Sequence, residues 1–146
     1  MGRLKFFFWL TDIGFVVYWL LTLLHAIPAS YLFKDYANPI LAAWNWSFLQ
    51  LDLLISMTGF ASLALYQRGH AAWRSLALIS LTLTISSGLQ ALAFWVLRAD
   101  FDPFWWAPNL YLLIYPFFFL PGLVMGGKAE GRIQQRIQTA TDLLPR

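Results

Sequence analysis

Four apolar runs, each long enough to cross a bilayer as a helix, leave this chain little choice of fold. A hydrocarbon core of about 30 Å needs about 20 apolar residues at helical rise. Candidate spans cover about residues 4–27, 39–66, 72–97 and 106–125. Pro28 with Ser30, the turn at 67–70 and the segment at 98–103 separate them. Of the 146 residues, 60% are hydrophobic and 12% charged. Soluble domains average about 45–50% and about 25%, so a soluble core of this size could not hide the excess. The expectation is an all-α integral membrane protein: a four-transmembrane-helix bundle over residues 1–127, then a polar tail over 128–146.

The first run has a basic leader, "GRLK", and ends near "AIPAS", which invites comparison with a signal peptide. Its apolar stretch of about 22 residues exceeds an ordinary signal-peptide core, so it is read as a retained helix. Pro108 suits the first turn of the fourth span, where a missing N–H costs nothing. Pro116 and Pro121 should bend that span.

Lysine and arginine placement sets the expected orientation. With the N-terminus cytoplasmic, Arg3, Lys5, Arg68, Arg74, Lys128, Arg132, Arg136 and Arg146 are inside, and only Lys34 and Arg98 are outside. That bias predicts an N-in, C-in topology with a cytoplasmic tail. The aromatic belt agrees: Tyr31, Trp44, Trp46, Trp95, Trp105 and Trp106 gather near the outer boundary, and Trp9, Tyr66 and Trp73 near the inner one. The tail is read as solvated, in preference to a short basic surface helix carried by Ile133 and Ile137. A net charge of +3, spread over the ends of apolar runs, is a membrane pattern and gives no sign of nucleic acid.

Function has to be sought in the polar residues that the spans carry. An aspartate at a helix centre costs about 2.5–3.5 kcal/mol on insertion scales, so it usually faces the bundle interior and marks function. Asp12 and Asp52 are the two intramembrane carboxylates. Asp12 lies near the inner edge, where pairing with Arg74, Lys128 or local donors would account for it; a proton or ion site is the alternative. Asp52 sits about eight residues past Trp44, roughly 12 Å down the helix, with no Lys or Arg at its depth. Asn45, Asp52, Ser56 and Gly59 share one face of the second span, small and polar enough to pack on other helices. The third span offers Thr82, Ser86 and Gln90 at helical spacing, flanked by Ser87, with Gly88 permitting close approach. Thr11, Tyr18, Thr22 and His25 form a stripe on the first span. Asn109, Tyr111 and Tyr115 lie on the fourth. Asp52, Gln90, Asn109, Tyr111, Tyr115, His25 and Asn45 are therefore the candidate ligand-binding residues of an aromatic-lined pocket in the outer half of the bilayer. Interhelical hydrogen bonding alone is the competing account of the hydroxyls.

Much chemistry is missing from the sequence. It has no Gly-rich phosphate loop, no G-x-S-x-G and no H-E-x-x-H. With no cysteine, and with its two histidines far apart at His25 and His70, it offers no metal site. No cofactor is expected, and the reading leans away from an enzyme.

The segments "LTDIGFVVYWLLTLLH", "YLFKDYANPILAAWNWSFLQLDLLIS" and "WWAPNLYLLIYP" resemble a small YvaD-like family of uncharacterised bacterial membrane proteins. This resemblance implies four spans and little else; a plasma (inner) membrane location is expected. More distantly, "WNWSFLQLDL" fits the W-x-x-S-F-L-x-x-[DE]-L pattern on the second helix of the emopamil-binding-protein-like (EXPERA) superfamily. "APNLYLLIYPFF" is similar to its fourth helix, and "YQRGHAAWR" and Asp100 sit at similar spacing. That superfamily implies an intramembrane pocket for sterols and hydrophobic amines, with Asp52 as the matching carboxylate and Asp35 loosely as the outer acid. Its third helix usually carries a His followed by Thr. "ISLTLTISSGLQ" has no His, which argues against sterol isomerisation, since that reaction needs a positioned acid and base.

The leading expectation is a non-enzymatic binder of a lipophilic small molecule or lipid, with a cationic ligand favoured, around Asp52 as counter-ion or hydrogen-bond acceptor. The alternatives are a small proton-coupled transporter or transporter subunit using Asp12, a lipid or sterol isomerase-like membrane enzyme, and a structural partner of another membrane protein. Membrane lipids are expected neighbours, and a second copy of the chain is a candidate partner.

Overall fold

A computed structural model describes residues 1–33, 35–127 and 136 of the chain. The described residues are helical throughout, without strands: α1 Gly2–Leu23, α2 Pro39–Trp46, α3 Leu49–Gln67, α4 Trp73–Leu97 and α5 Pro103–Ile114. Short 3-10 turns cover Ala29–Tyr31 and Tyr115–Phe118. α2 and α3 form one broken rod, Pro39–Gln67, and α5 continues past its 3-10 turn to make Pro103–Gly127. Together with α1 and α4, these are four helices long and apolar enough to cross a membrane. The expectations for the tail fall, apart from Arg136, outside the described residues.

The helix ends explain where the boundaries differ from those read off hydropathy. α1 stops at Leu23, four residues short of the expected Ile27. His25 takes a left-handed φ of 49° there, and Ala26 N–H bonds back to the Leu21 carbonyl at 3.1 Å. That is a Schellman closure. The same closure ends α3 at Gly69 (φ 67°) and α4 at Ala99 (φ 52°). A glycine announces it in sequence; a histidine or alanine does not. At the other pole, Asn38 caps α2, its Oδ1 accepting from Ile40 N–H at 3.0 Å, with Pro39 in the first position. Asp102 and Pro103 repeat the device for α5, Oδ1 accepting from Phe104 N–H at 3.0 Å. The fourth span therefore starts at Pro103, not Trp106, and Pro108 lies inside the helix instead of in its first turn. Pro116 falls in the 3-10 turn, as its missing N–H requires.

α3 packs on α4, α4 on α5 and α1 on α3. Two apolar clusters result. One joins Leu4, Phe8, Leu63, Ala77, Leu81, Tyr115 and Leu123 toward the end of the bundle that carries the N-terminus. The other joins Trp19, Phe48 and Ala91 toward the end that carries the α1–α2 and α4–α5 connections. Arg98 Nη2 meets Asp35 Oδ2 at 3.2 Å across those two connections, tying the 28–38 segment to the end of α4. Arg98 also lies over the rings of Phe94 and Trp95.

Candidate functional site

The site begins with the break in the second rod. Ser47 and Phe48 interrupt the helix, and the Ser47 hydroxyl donates to the Trp44 carbonyl at 2.7 Å. The tightened turn hands over to α3 through Asp52 N–H, which bonds the Phe48 carbonyl at 2.9 Å. Asp52, one turn into α3, is 5% exposed. It accepts on both oxygens: Trp19 Nε1–H donates to Oδ2 at 3.0 Å and the Ser87 hydroxyl to Oδ1 at 3.2 Å. One carboxyl thus ties α1, α3 and α4 together. A carboxyl is expensive in an apolar bundle unless donors meet it, and two neutral donors do so here. Ser56, one turn on, lies between the backbone carbonyls of Asp52 (3.0 Å) and Asp12 (3.3 Å).

Beside this tie is a cavity of about 810 Å³, within the usual range of roughly 300–1,000 Å³ for ligand sites. Its inner wall comes from α2, α3 and α4: Leu41, Trp44, Asn45, Phe48, Asp52, Ser87, Ala91 and Trp95, all buried or half-buried. Its edges are Leu10 and Gly14 on α1, and Ala107 and Pro108 on α5, all exposed. The cavity is therefore open at the seam between α1 and α5, and exposed Tyr31 and Phe104 line it at the end that carries the connections. Leu32 and Phe33 of the α1–α2 connection are buried against its end. At its base the seam is closed by a hydroxyl cluster, in which Thr11 Oγ1 bonds the Tyr111 hydroxyl at 3.0 Å and donates to the Tyr115 hydroxyl at 3.3 Å. The two tyrosines stack on each other and on Phe7.

The cavity brings together four of the seven candidate ligand-binding residues: Asp52, Asn45, Asn109 and Tyr111. Asn45 Oδ1 accepts from the Tyr18 hydroxyl at 3.1 Å, while Nδ2 of the same amide is buried and finds no acceptor among the described residues. Asn109 Nδ2 donates to the Trp105 carbonyl at 2.7 Å. Tyr115 is buried one turn beyond Tyr111 and does not line the cavity. His25 is exposed in the turn that ends α1. Gln90 is exposed on the outer face of α4, with Thr82 and Ser86. Those two hydroxyls bond back to Leu78 and Thr82 carbonyls at 2.8 and 3.0 Å, which lets them face outward without an external partner. The inward stripe of α4 is instead Ser80, Thr84, Ser87, Gly88 and Ala91.

Asp12 is the second buried carboxyl, at 0% exposure. Neither of its oxygens has a hydrogen-bond partner among the described residues. The expected pairing with Arg74 is therefore not made, and Lys128 lies outside the described residues. Gly59 of α3 faces Asp12, and a Cβ there would collide with the carboxyl group. The residue of this cluster that sequence reading missed is Trp19, one aromatic among many on α1. The available signal was general: a buried indole N–H needs an acceptor, and Asp52 is the nearest acidic group in the spans at its depth. No cluster among the described residues could hold a metal ion.

Residues 4–130 match the Family of unknown function DUF5360. The chain is 52% identical over 128 residues to the uncharacterized protein YvaD of Bacillus subtilis (strain 168), covering 88% of this chain and 96% of that protein. No solved structure matches it. The chain belongs to the DUF5360 family.

Proposed function

From within a family of unknown function, we propose that this chain is a multi-pass plasma-membrane protein, N-in and C-in, that binds a lipophilic small molecule or lipid without transforming it. The observation that carries the reading is the cavity: an aromatic wall with a small polar cluster, and a mouth edged by exposed residues of α1 and α5. A ligand dissolved in the bilayer reaches such a mouth without crossing water. The eight-to-two division of Lys and Arg supports the orientation. The similarity of "WNWSFLQLDL" to the EXPERA second-helix pattern supports the pocket. Nothing lining the cavity pairs an acid with a base that could relay a proton, which favours binding over catalysis.

Thermal unfolding in detergent against hydrophobic amines, sterols and isoprenoid lipids tests this. Asp52→Asn is a poor control, because it disturbs the Trp19 and Ser87 bonds. A Gly14→Trp/Ala107→Trp variant crowds the mouth from both edges. A Cβ at Gly14 meets nothing within 4 Å, so the added bulk there need not strain the bundle. At a hundredfold excess over Kd a ligand adds about 2.7 kcal/mol, or roughly 5–10 °C at about 2–4 °C per kcal/mol. We expect that shift in the wild type and none in the blocked variant. Equal shifts in both would place binding elsewhere.

A second reading, a proton-coupled transporter, is favoured by one observation: the Asp12 carboxyl, fully buried with neither oxygen bonded among the described residues. In proteoliposomes under a pH gradient, it expects efflux of a lipophilic cation such as ethidium, reduced to the protein-free rate by Asp12→Asn. No efflux in the wild type, or undiminished efflux in the variant, rejects it.

A further inference from the structure

We infer that a second copy of this chain docks on the outer side of the α3–α4 layer, where the amides of Gln50 and Gln90 pair across a two-fold axis. The inference rests on the membrane-spanning reading above. It is independent of ligand binding, because the cavity lies on the other side of that layer, toward α1 and α5.

Both glutamines point away from the rest of the bundle. Gly59 of α3 faces Asp12 of α1, and Gly88 of α4 faces the backbone of α5. At about 100° per residue, Gln50 stands about 180° around α3 from Gly59, and Gln90 about 160° around α4 from Gly88. Since α3 packs on α4, the two side chains share the face that α1 and α5 leave bare. Both are exposed, and neither amide makes a side-chain hydrogen bond among the described residues. They also sit at one level. The bond between Ser87 and Asp52, at 3.2 Å, aligns the two helices there. From it, Gln50 lies roughly 3 Å and Gln90 roughly 4.5 Å toward the same end of the bundle.

That level is inside the hydrocarbon. Trp73 and Trp95 stand roughly 33 Å apart along α4, close to the thickness of a bilayer core, and Gln90 is roughly 7 Å inside the Trp95 end. Helical Cα–Cβ bonds tilt toward the N-terminus, so Gln90 leans away from the nearer boundary. Lipid tails offer its amide neither donor nor acceptor, and a polar group left unmet there is costly. Its neighbours escape that cost, since the Thr82 and Ser86 hydroxyls return to carbonyls of their own helix at 2.8 and 3.0 Å. An amide carries both donors and an acceptor, so a second amide satisfies both ends. A two-fold axis along the membrane normal keeps every residue at the depth of its mate. Two glutamines at one level then meet their own copies or each other. A different membrane protein would have to carry a matching group at that depth by coincidence; a second copy has it by symmetry. Toward the other end, exposed Ala61 and Ser86 are small enough for the helices to approach closely.

The chain has no cysteine, so single-cysteine variants report contacts without background. Leu54→Cys and Ser86→Cys place a thiol on the proposed interface, and Val17→Cys places one at about the same depth on the exposed face of α1. Oxidised with copper phenanthroline in native membranes, the interface thiols should give disulfide-linked dimers and Val17→Cys should not. No dimer from either interface thiol, or an equal yield from Val17→Cys, overturns the proposal. Affinity is then read from energy transfer between full-length copies, labelled at the N-terminus and diluted in phosphatidylcholine vesicles. Gln50→Leu/Gln90→Leu should weaken association roughly tenfold. Monomers at every density, or unchanged affinity in the variant, overturn the proposal as well, and the wild-type dilution series decides even if the variant fails to fold. Carbonate washing of the same native membranes separates the premises. A chain that washes off takes the spanning reading down with the dimer, whereas one that stays and remains monomeric overturns the dimer alone.

Discussion

Gly88→Ala is expected to destabilise the bundle by roughly 1–3 kcal/mol, and Gly88→Val by more, with loss of lipid binding in whatever remains folded. The backbones of α4 and α5 meet at Gly88. A Cβ built there lies 2.7 Å from the Asn109 carbonyl oxygen and 2.7 Å from the Leu113 amide nitrogen. Both are main-chain atoms of a helix, which cannot rotate aside as a side chain can. Alanine gains up to about 1 kcal/mol in helix propensity over glycine, which opposes the clash without cancelling it. Gly14→Ala is the matched control, since its Cβ meets nothing within 4 Å. It collects the propensity gain alone and should be neutral or slightly stabilising. Because α5 carries Ala107, Pro108, Asn109, Tyr111 and Leu112 of the cavity wall, separating it from α4 widens the seam as well as weakening the fold. Thermal midpoints of the two variants, measured together in one detergent, check this. Equal midpoints would mean that α4 and α5 do not approach so closely.

Gly88 also shows how much of this architecture was readable. A glycine among Ser and Gln in an apolar helix points to close packing, and the structure uses it so. The face Asp52–Ser56–Gly59 was legible for a related reason: it gathers the small and polar residues of a long apolar helix, and all three are buried. On α4 the same logic chose the wrong stripe. The helix is nearly as apolar on one face as on another, so hydropathy gives no inward direction. Two polar stripes compete, Thr82–Ser86–Gln90 and Ser80–Thr84–Ser87. The first satisfies its hydroxyls on its own backbone and faces outward at little cost. The second carries Ser87, which reaches Asp52, a contact fixed by α3 and invisible in the α4 sequence. The broken second rod was illegible too, since neither Gly nor Pro marks Ser47–Phe48. The Asp102–Pro103 cap could have been read, because Asn38–Pro39 announces α2 by the same signature.

A loss of comparable size should come from Trp19→Ala. Trp19 is 2% exposed, packs against Tyr18 and Trp46 at centroid distances of 5.0 and 5.5 Å, and donates to Asp52. In soluble cores a Trp-to-Ala change costs about 3–5 kcal/mol, of which part is transfer from water and part is the cavity left behind. In a bilayer the transfer part largely disappears, because lipid tails are as apolar as the core. The lost packing and the lost bond to Asp52 remain, so the low end, about 3 kcal/mol, is expected. Trp19→Phe separates the two contributions. It keeps an aromatic ring in the cluster and removes the N–H, leaving Asp52 Oδ2 without its donor at a cost of about 1–3 kcal/mol. The decisive measurement is a double-mutant cycle with Asp52→Leu. With the acceptor gone, Trp19→Phe should cost much less than it does in the wild type, and the difference is the coupling energy of the indole–carboxyl bond. A coupling near zero would mean that Asp52 is held by something other than the indole.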